Sequence, residues 1–207
     1  MYSAFFNIFL GLLFQLNFYA FKGIDILPDI IGYYFIYKGL KNLTTENQFF
    51  AMANKLVLPL LMLSIVKIYN FQYHQDLLLS ISLGLDIIKI IIFALNMYLI
   101  YNLCQGAMKV AESINDDYLE RTIGQRLYLF LGIAGFLLVL SIFSLLPFAG
   151  VVTAMQFIFT IIYFAYILVF LIMAAGIYNL YKELSPSRVK TVKAKAGGKS
   201  SKSKRKR

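Results

Sequence analysis

From Phe148 to Tyr181 the chain reads FAGVVTAMQFIFTIIYFAYILVFLIMAAGIYNLY, without one Asp, Glu, Lys or Arg. As a straight helix this run extends about 51 Å at 1.5 Å per residue. The hydrocarbon core of a bilayer takes about 20 apolar residues. A soluble domain could not cover so long an uncharged surface, so the run predicts a membrane-spanning helix that tilts, kinks or projects beyond the lipid.

Five apolar segments precede it: Ser3–Phe21, Ile24–Leu40, Phe49–Tyr69, Leu77–Cys104 and Leu127–Leu146. Hydrophobic residues make up 60% of the 207, charged residues only 14%, and the mean hydropathy is +0.72. An ordinary soluble domain is roughly 45–50% apolar and about 25% charged. These segments predict an all-α polytopic bundle of six helices over residues 1–184 and a disordered basic tail over 185–207. The opening MYSAFFNIFL has no basic residue, which reads as a retained first span rather than a signal peptide. The second segment is the ambiguous one. Pro28 and Asp29 suit a first helical turn, and Lys38 and Lys41 suit a last one. From Pro28 to Leu40, however, the helix reaches only about 20 Å. It either spans with the help of Ile24–Leu27 or is re-entrant, leaving five spans.

The formal charge of +10 is confined to the tail. Residues 1–181 carry nine Lys/Arg and nine Asp/Glu. Beyond Glu183 come Arg188, Lys190, Lys193, Lys195, Lys199, Lys202, Lys204, Arg205, Lys206 and Arg207, with no acid. The positive-inside rule therefore places the tail in the cytoplasm. Counting back, Gln105–Arg126 is cytoplasmic, Asn70–Asp76 external, and with six spans both termini are inside. The tail is too polar to fold alone. It is expected to bind anionic headgroups, with nucleic acid or the ribosome as a less favoured partner because no aromatic residue follows Tyr181 for base stacking. A membrane-protein partner or a second copy is the other expected kind of contact.

Charged residues inside a span are costly and need protein or water around them. Ser82, Asp86, Lys89 and Asn96 fall within a wedge of roughly 80° on the fourth helix. Asp86 lies about 14 Å in from Leu77 by helical rise. The stripe reads either as a polar path for a solute or proton, or as an (i, i+3) pair that neutralises itself and holds helices together. Asp25 and Asp29, beside Pro28, form a second acidic candidate at the outer interface, for a cation or as helix caps. Ser3, Asn7, Gly11 and Gln15, and likewise Ala149, Thr153, Gln156, Thr160 and Tyr163, read as packing faces.

Catalytic patterns are missing. His74 is the lone histidine and Cys104 the lone cysteine, and no HExxH, GxSxG or P-loop sequence occurs. The expectation is a non-enzymatic protein without metal or cofactor, an accessory or regulatory subunit acting through helix packing and its tail. The alternative is a small transporter or channel using Asp86 and Lys89.

Two short echoes suggest three helical hairpins in one orientation. Ile36-Tyr37, Ile100-Tyr101 and Ile177-Tyr178 each close an even-numbered segment, and Leu10-Gly11…Leu27-Pro28 parallels Leu131-Gly132…Leu146-Pro147. Finally, Gly11-Leu12-Leu13-Phe14, Asp25-Ile26-Leu27-Pro28-Asp29, Ile31-Gly32-Tyr33 and Gly39-Leu40 make up an opening. It resembles that of small multi-pass membrane proteins of Gram-positive bacteria, a family of uncharacterised activity. The resemblance covers about the first fifth of the chain and implies the membrane class and a bacterial plasma membrane.

Overall fold

A computed structural model describes residues 1–15, 29–68, 79–145 and 149–185. Its regular elements are six helices and, among the described residues, no strand: α1 Tyr2–Phe14, α2 Asp29–Lys41, α3 Gln48–Ile68, α4 Leu79–Ser113, α5 Asp117–Phe143 and α6 Ala149–Glu183. Three stretches are long and apolar enough to cross a membrane: Asp86–Ser113, Asp117–Phe143 and Thr160–Glu183. The chain is thus an all-α protein with the pattern of an integral membrane protein. The end expected for the first segment and the start expected for the second, together with Asp25, Pro28, Asn70–Asp76 and the tail cations, lie outside the described residues. So do Leu27, Leu146 and Pro147 of the second echo.

The boundary between the fourth and fifth segments needs correction. Hydropathy ends the fourth at Cys104 and begins the fifth at Leu127, but α4 continues to Ser113 and α5 starts at Asp117. The reason is that hydropathy measures the lipid, not the helix. Past Cys104 the residues Gln105, Ala107, Met108 and Ala111 are ordinary helix formers, and Lys109 pairs with Glu112 one turn on at 2.8 Å. The chain reverses through Asn115, at φ 55, a conformation Asn adopts more readily than most residues. Asp116 then caps α5 by accepting from the Leu119 backbone N–H at 3.0 Å. Asp117 and Glu120 in the first turn complement the helix dipole.

Each helix packs against its neighbours in sequence, and α1 packs against α6, so the six close into a ring, with a minor contact of α4 across to α6. The α1–α2 contact is backbone on backbone. A Cβ on Gly11 would lie 2.6 Å from the Gly32 carbonyl oxygen, and one on Gly39 would lie 2.6 Å from that of Ala4. Small residues allow this approach between membrane helices. The face α1 offers is Ala4, Ile8 and Gly11; Ser3 is exposed and Asn7 only half-buried. On the other side of α1 the contact is aromatic: Phe9 meets Tyr178 at 4.9 Å between ring centroids, and Tyr2 stacks on Tyr181 with their hydroxyls hydrogen-bonded. The start of α1 and the end of α6 therefore share one end of the ring. The interior is one apolar cluster with members from all six helices, among them Phe5, Leu40, Phe50, Leu99, Phe130 and Leu180. Ile36, Ile100 and Ile177, the echoed isoleucines of α2, α4 and α6, are all buried in it.

Candidate polar site in the ring

The uncharged stretch of α4 runs from Ile90 to Met108, between Lys89 and Lys109. At 1.5 Å per residue it covers about 28 Å, close to the roughly 30 Å hydrocarbon thickness. Because α4 extends to Ser113, this is the stretch that fits the lipid. Asp86 and Lys89 stand just before this stretch on the helix. They pair with each other at 2.9 Å, and the Lys89 and Asp86 side chains are 57% and 50% exposed. Lys109 and Glu112 make the matching pair at the other end, equally exposed. Two self-neutralising pairs thus bracket the uncharged stretch of α4.

Asn96 belongs to a different environment. Seven residues after Lys89, it lies within about 20° of the same line down the helix, yet it is drawn into the ring. The Tyr33 hydroxyl of α2 donates to Asn96 Oδ1 at 2.7 Å, with Tyr33 fully buried. One turn before Tyr33, Asp29 is also buried, at 6% exposure. Its carboxylate lies within electrostatic reach of Tyr33 and of Tyr166 on α6. Tyr166 packs against Phe93 at 5.7 Å and Phe130 at 5.8 Å. The structure therefore regroups the predicted residues. Asn96 bonds to Tyr33 of α2, whose neighbour one turn back is Asp29, and Asp29 lies within electrostatic reach of Tyr166 of α6. Ser82 lies in α4, but its side chain is outside the described set, as is Asp25.

Tyr33 and Tyr166 did not emerge from sequence reasoning, because tyrosine in a membrane protein reads first as an interface residue. The available signal was spacing: Tyr33 follows Asp29 by four, which puts both on one face of α2. Below this layer, toward the shared end of α1 and α6, the centre is apolar, with Ile36, Leu40, Leu99, Leu103 and Cys104 buried. Among the described residues no group of three or more His, Cys, Asp or Glu is placed to hold a metal.

This arrangement defines a helical membrane protein whose described interior is mostly apolar, with a neutral Tyr–Asn hydrogen bond and the buried polar side chains of Asp29, Ser64 and Asn102 set into it. No family model, curated protein or solved structure matches the chain.

Proposed function

We propose that this chain is a non-enzymatic, multi-pass protein of a bacterial plasma membrane, an accessory or regulatory subunit that works through helix packing and a polybasic cytoplasmic tail. The observation that carries the reading is the core: a continuous apolar cluster to which every helix contributes, with the charges of α4 paired outside it. The orientation draws support from the ring end at which Tyr2 meets Tyr181. Lys38 and Lys41 close α2 and Lys182 closes α6, and cations near span ends favour the cytoplasmic side. Ten tail cations then stand next to an anionic leaflet, each worth about 1 kcal/mol there.

A second reading, a small transporter or channel, is favoured by one observation: Asp29 is buried within electrostatic reach of Tyr33 and Tyr166. A buried acid in a membrane protein is costly and often marks an ion or proton path. Purified protein in liposomes with a trapped pH-sensitive dye separates the two. The subunit reading expects an imposed proton or cation gradient to decay as slowly as in empty liposomes. A faster decay that Asp29→Asn abolishes would replace it with the transporter reading.

A further inference from the structure

At the end of the ring where α1 begins and α6 ends, the α4–α5 hairpin projects beyond Lys109 and Arg126, the charges that close the apolar runs of the two helices. Its tip is acidic. Glu112, Asp116, Asp117 and Glu120 stand against Arg121 between residues 112 and 121. Asp116 is occupied as the α5 cap. Glu112 pairs with Lys109, but both side chains stay more than half exposed. Beside these acids Tyr118 is 81% exposed and Ile114 39%.

α6 ends level with this tip. Arg126 Nη1 donates to the Ile172 carbonyl at 3.0 Å, and a Cβ on Gly176 would lie 3.6 Å from both Ile123 and Arg126. From that shared level α6 rises about 10 Å to Glu183, and α5 rises about 9 Å back to Asp117. The segment that follows is uniformly cationic. Arg188 lies within about 18 Å of extended chain from Glu183 and Lys195 within about 43 Å, so the first cations reach the tip from where α6 leaves the ring.

We infer that the acidic, tyrosine-bearing tip from Glu112 to Arg121 is the docking surface of the chain's own polybasic segment 188–199. Docking there and binding to anionic lipid compete for the same cations. The inference deepens the proposed function: it supplies a self-bound state for a tail read as membrane-binding. Charge complementarity selects the occupant, and the open face of Tyr118 adds a cation–π surface for Lys or Arg. Exposed ion pairs are individually weak and salt-screened, but a short tether keeps the cations at millimolar effective concentration. The contact is therefore reversible, and an anionic leaflet displaces it.

The test uses the full chain in nanodiscs, in a Cys104→Ala background, with spin labels at Ser113→Cys and Ala196→Cys. In pure phosphatidylcholine at low salt, docking gives a short, narrow distance population. That population is lost on neutralising the tip (Glu112→Gln, Asp117→Asn, Glu120→Gln, with the Asp116 cap kept). It is also lost on neutralising Arg188, Lys190, Lys193 and Lys195 to Gln, which leaves every described helix untouched, and in about 0.5 M salt. Distance distributions identical in the parent and the tail-neutralised chain overturn the inference. Adding phosphatidylserine separates it from the membrane reading. If the lipid immobilises the tail label although no short distance ever forms, docking fails and lipid binding stands. If the short distance persists and the lipid changes nothing, docking stands and lipid binding fails.

Discussion

Gly11 on α1 and Gly132 on α5 occupy matching places in a sequence echo, Leu10-Gly11 and Leu131-Gly132, and the structure gives them opposite surroundings. A Cβ on Gly11 would strike Gly32 and Ile36 of α2 at under 3 Å, whereas one on Gly132 would meet nothing within 4 Å. Gly39 behaves like Gly11, while Gly84 and Gly135 behave like Gly132. The same residue at similar places in an apolar helix is thus a close-packing device on one side of the ring and open on the other. What decides is the element opposite. On α1–α2 that element is a second backbone, and at Gly132 on α5 it is none of the described residues.

The largest effect that would break this contrast is at Gly39. In Gly39→Leu the new side chain meets the Ala4 carbonyl oxygen and Ile8, and neither can move without separating the two helices. Overpacking of a tight core costs about 1–3 kcal/mol and sometimes more, and here the clash is with backbone. Gly39→Leu is expected to lower the unfolding midpoint in detergent strongly, while Gly132→Leu leaves it near the parent value. Equal midpoints for the two variants would show that the backbone contact of α1 and α2 does not hold the ring.

A middle-sized effect is expected at the polar layer. Tyr33→Phe leaves Asn96 Oδ1 without its donor, and an unsatisfied buried polar group costs about 1–3 kcal/mol. Hydrogen bonds between membrane helices average nearer 0.6 kcal/mol and reach about 1.7, so the lower end of that range is the sharper expectation. In Tyr33→Phe with Asn96→Leu, both partners are gone and much of the loss should return. A double variant as unstable as the sum of the singles would mean that the two side chains do not act as a pair.

A smaller effect belongs to Asp86 and Lys89. Both side chains are at least half exposed, and exposed pairs contribute about 0.2–1 kcal/mol. Asp86→Asn should therefore cost little, and Asp86→Asn with Lys89→Met should cost no more. Strandedness at mid-bilayer would instead cost the single variants about 3–5 kcal/mol, as breaking a buried ion pair does. Comparing single and double variants by thermal denaturation in nanodiscs places the pair at the lipid edge or in the interior.

Much of the architecture was legible because a bilayer imposes a simple rule: long apolar runs become helices. All six runs correspond to helices. Their ends were harder to read. Cys104 and Leu127 mark where apolar residues stop, yet Lys109–Glu112 pairing and the Asp116 cap carry helix on either side into polar surroundings. The candidate site was legible residue by residue but not as a grouping. Asn96 shares a helical line with Lys89, and nothing local says that Tyr33, sixty-three positions earlier, donates to its side-chain oxygen. Only the closure of the ring lets the Tyr33 side chain of α2 reach across to that line.

The smallest effect sharpens the opening comparison most. Gly132→Ala adds one methyl group where no atom lies within 4 Å, in the interior of a helix that runs from Asp117 to Phe143. Glycine in a helix interior is less favourable than alanine by about 0.8–1.0 kcal/mol in water, mainly because the unfolded backbone has more freedom to lose. Inside a bilayer the unfolded reference is already helical in large part, so the gain should shrink to a few tenths. Gly132→Ala should thus be neutral or slightly stabilising in detergent, and Gly11→Ala, one Cβ against the Gly32 oxygen at 2.6 Å, clearly destabilising. A measurable loss for Gly132→Ala in native membranes that is absent for the purified chain would mean that something outside this chain packs on α5. Gly132 would then be a second close-packing glycine whose opposite element is supplied by another molecule.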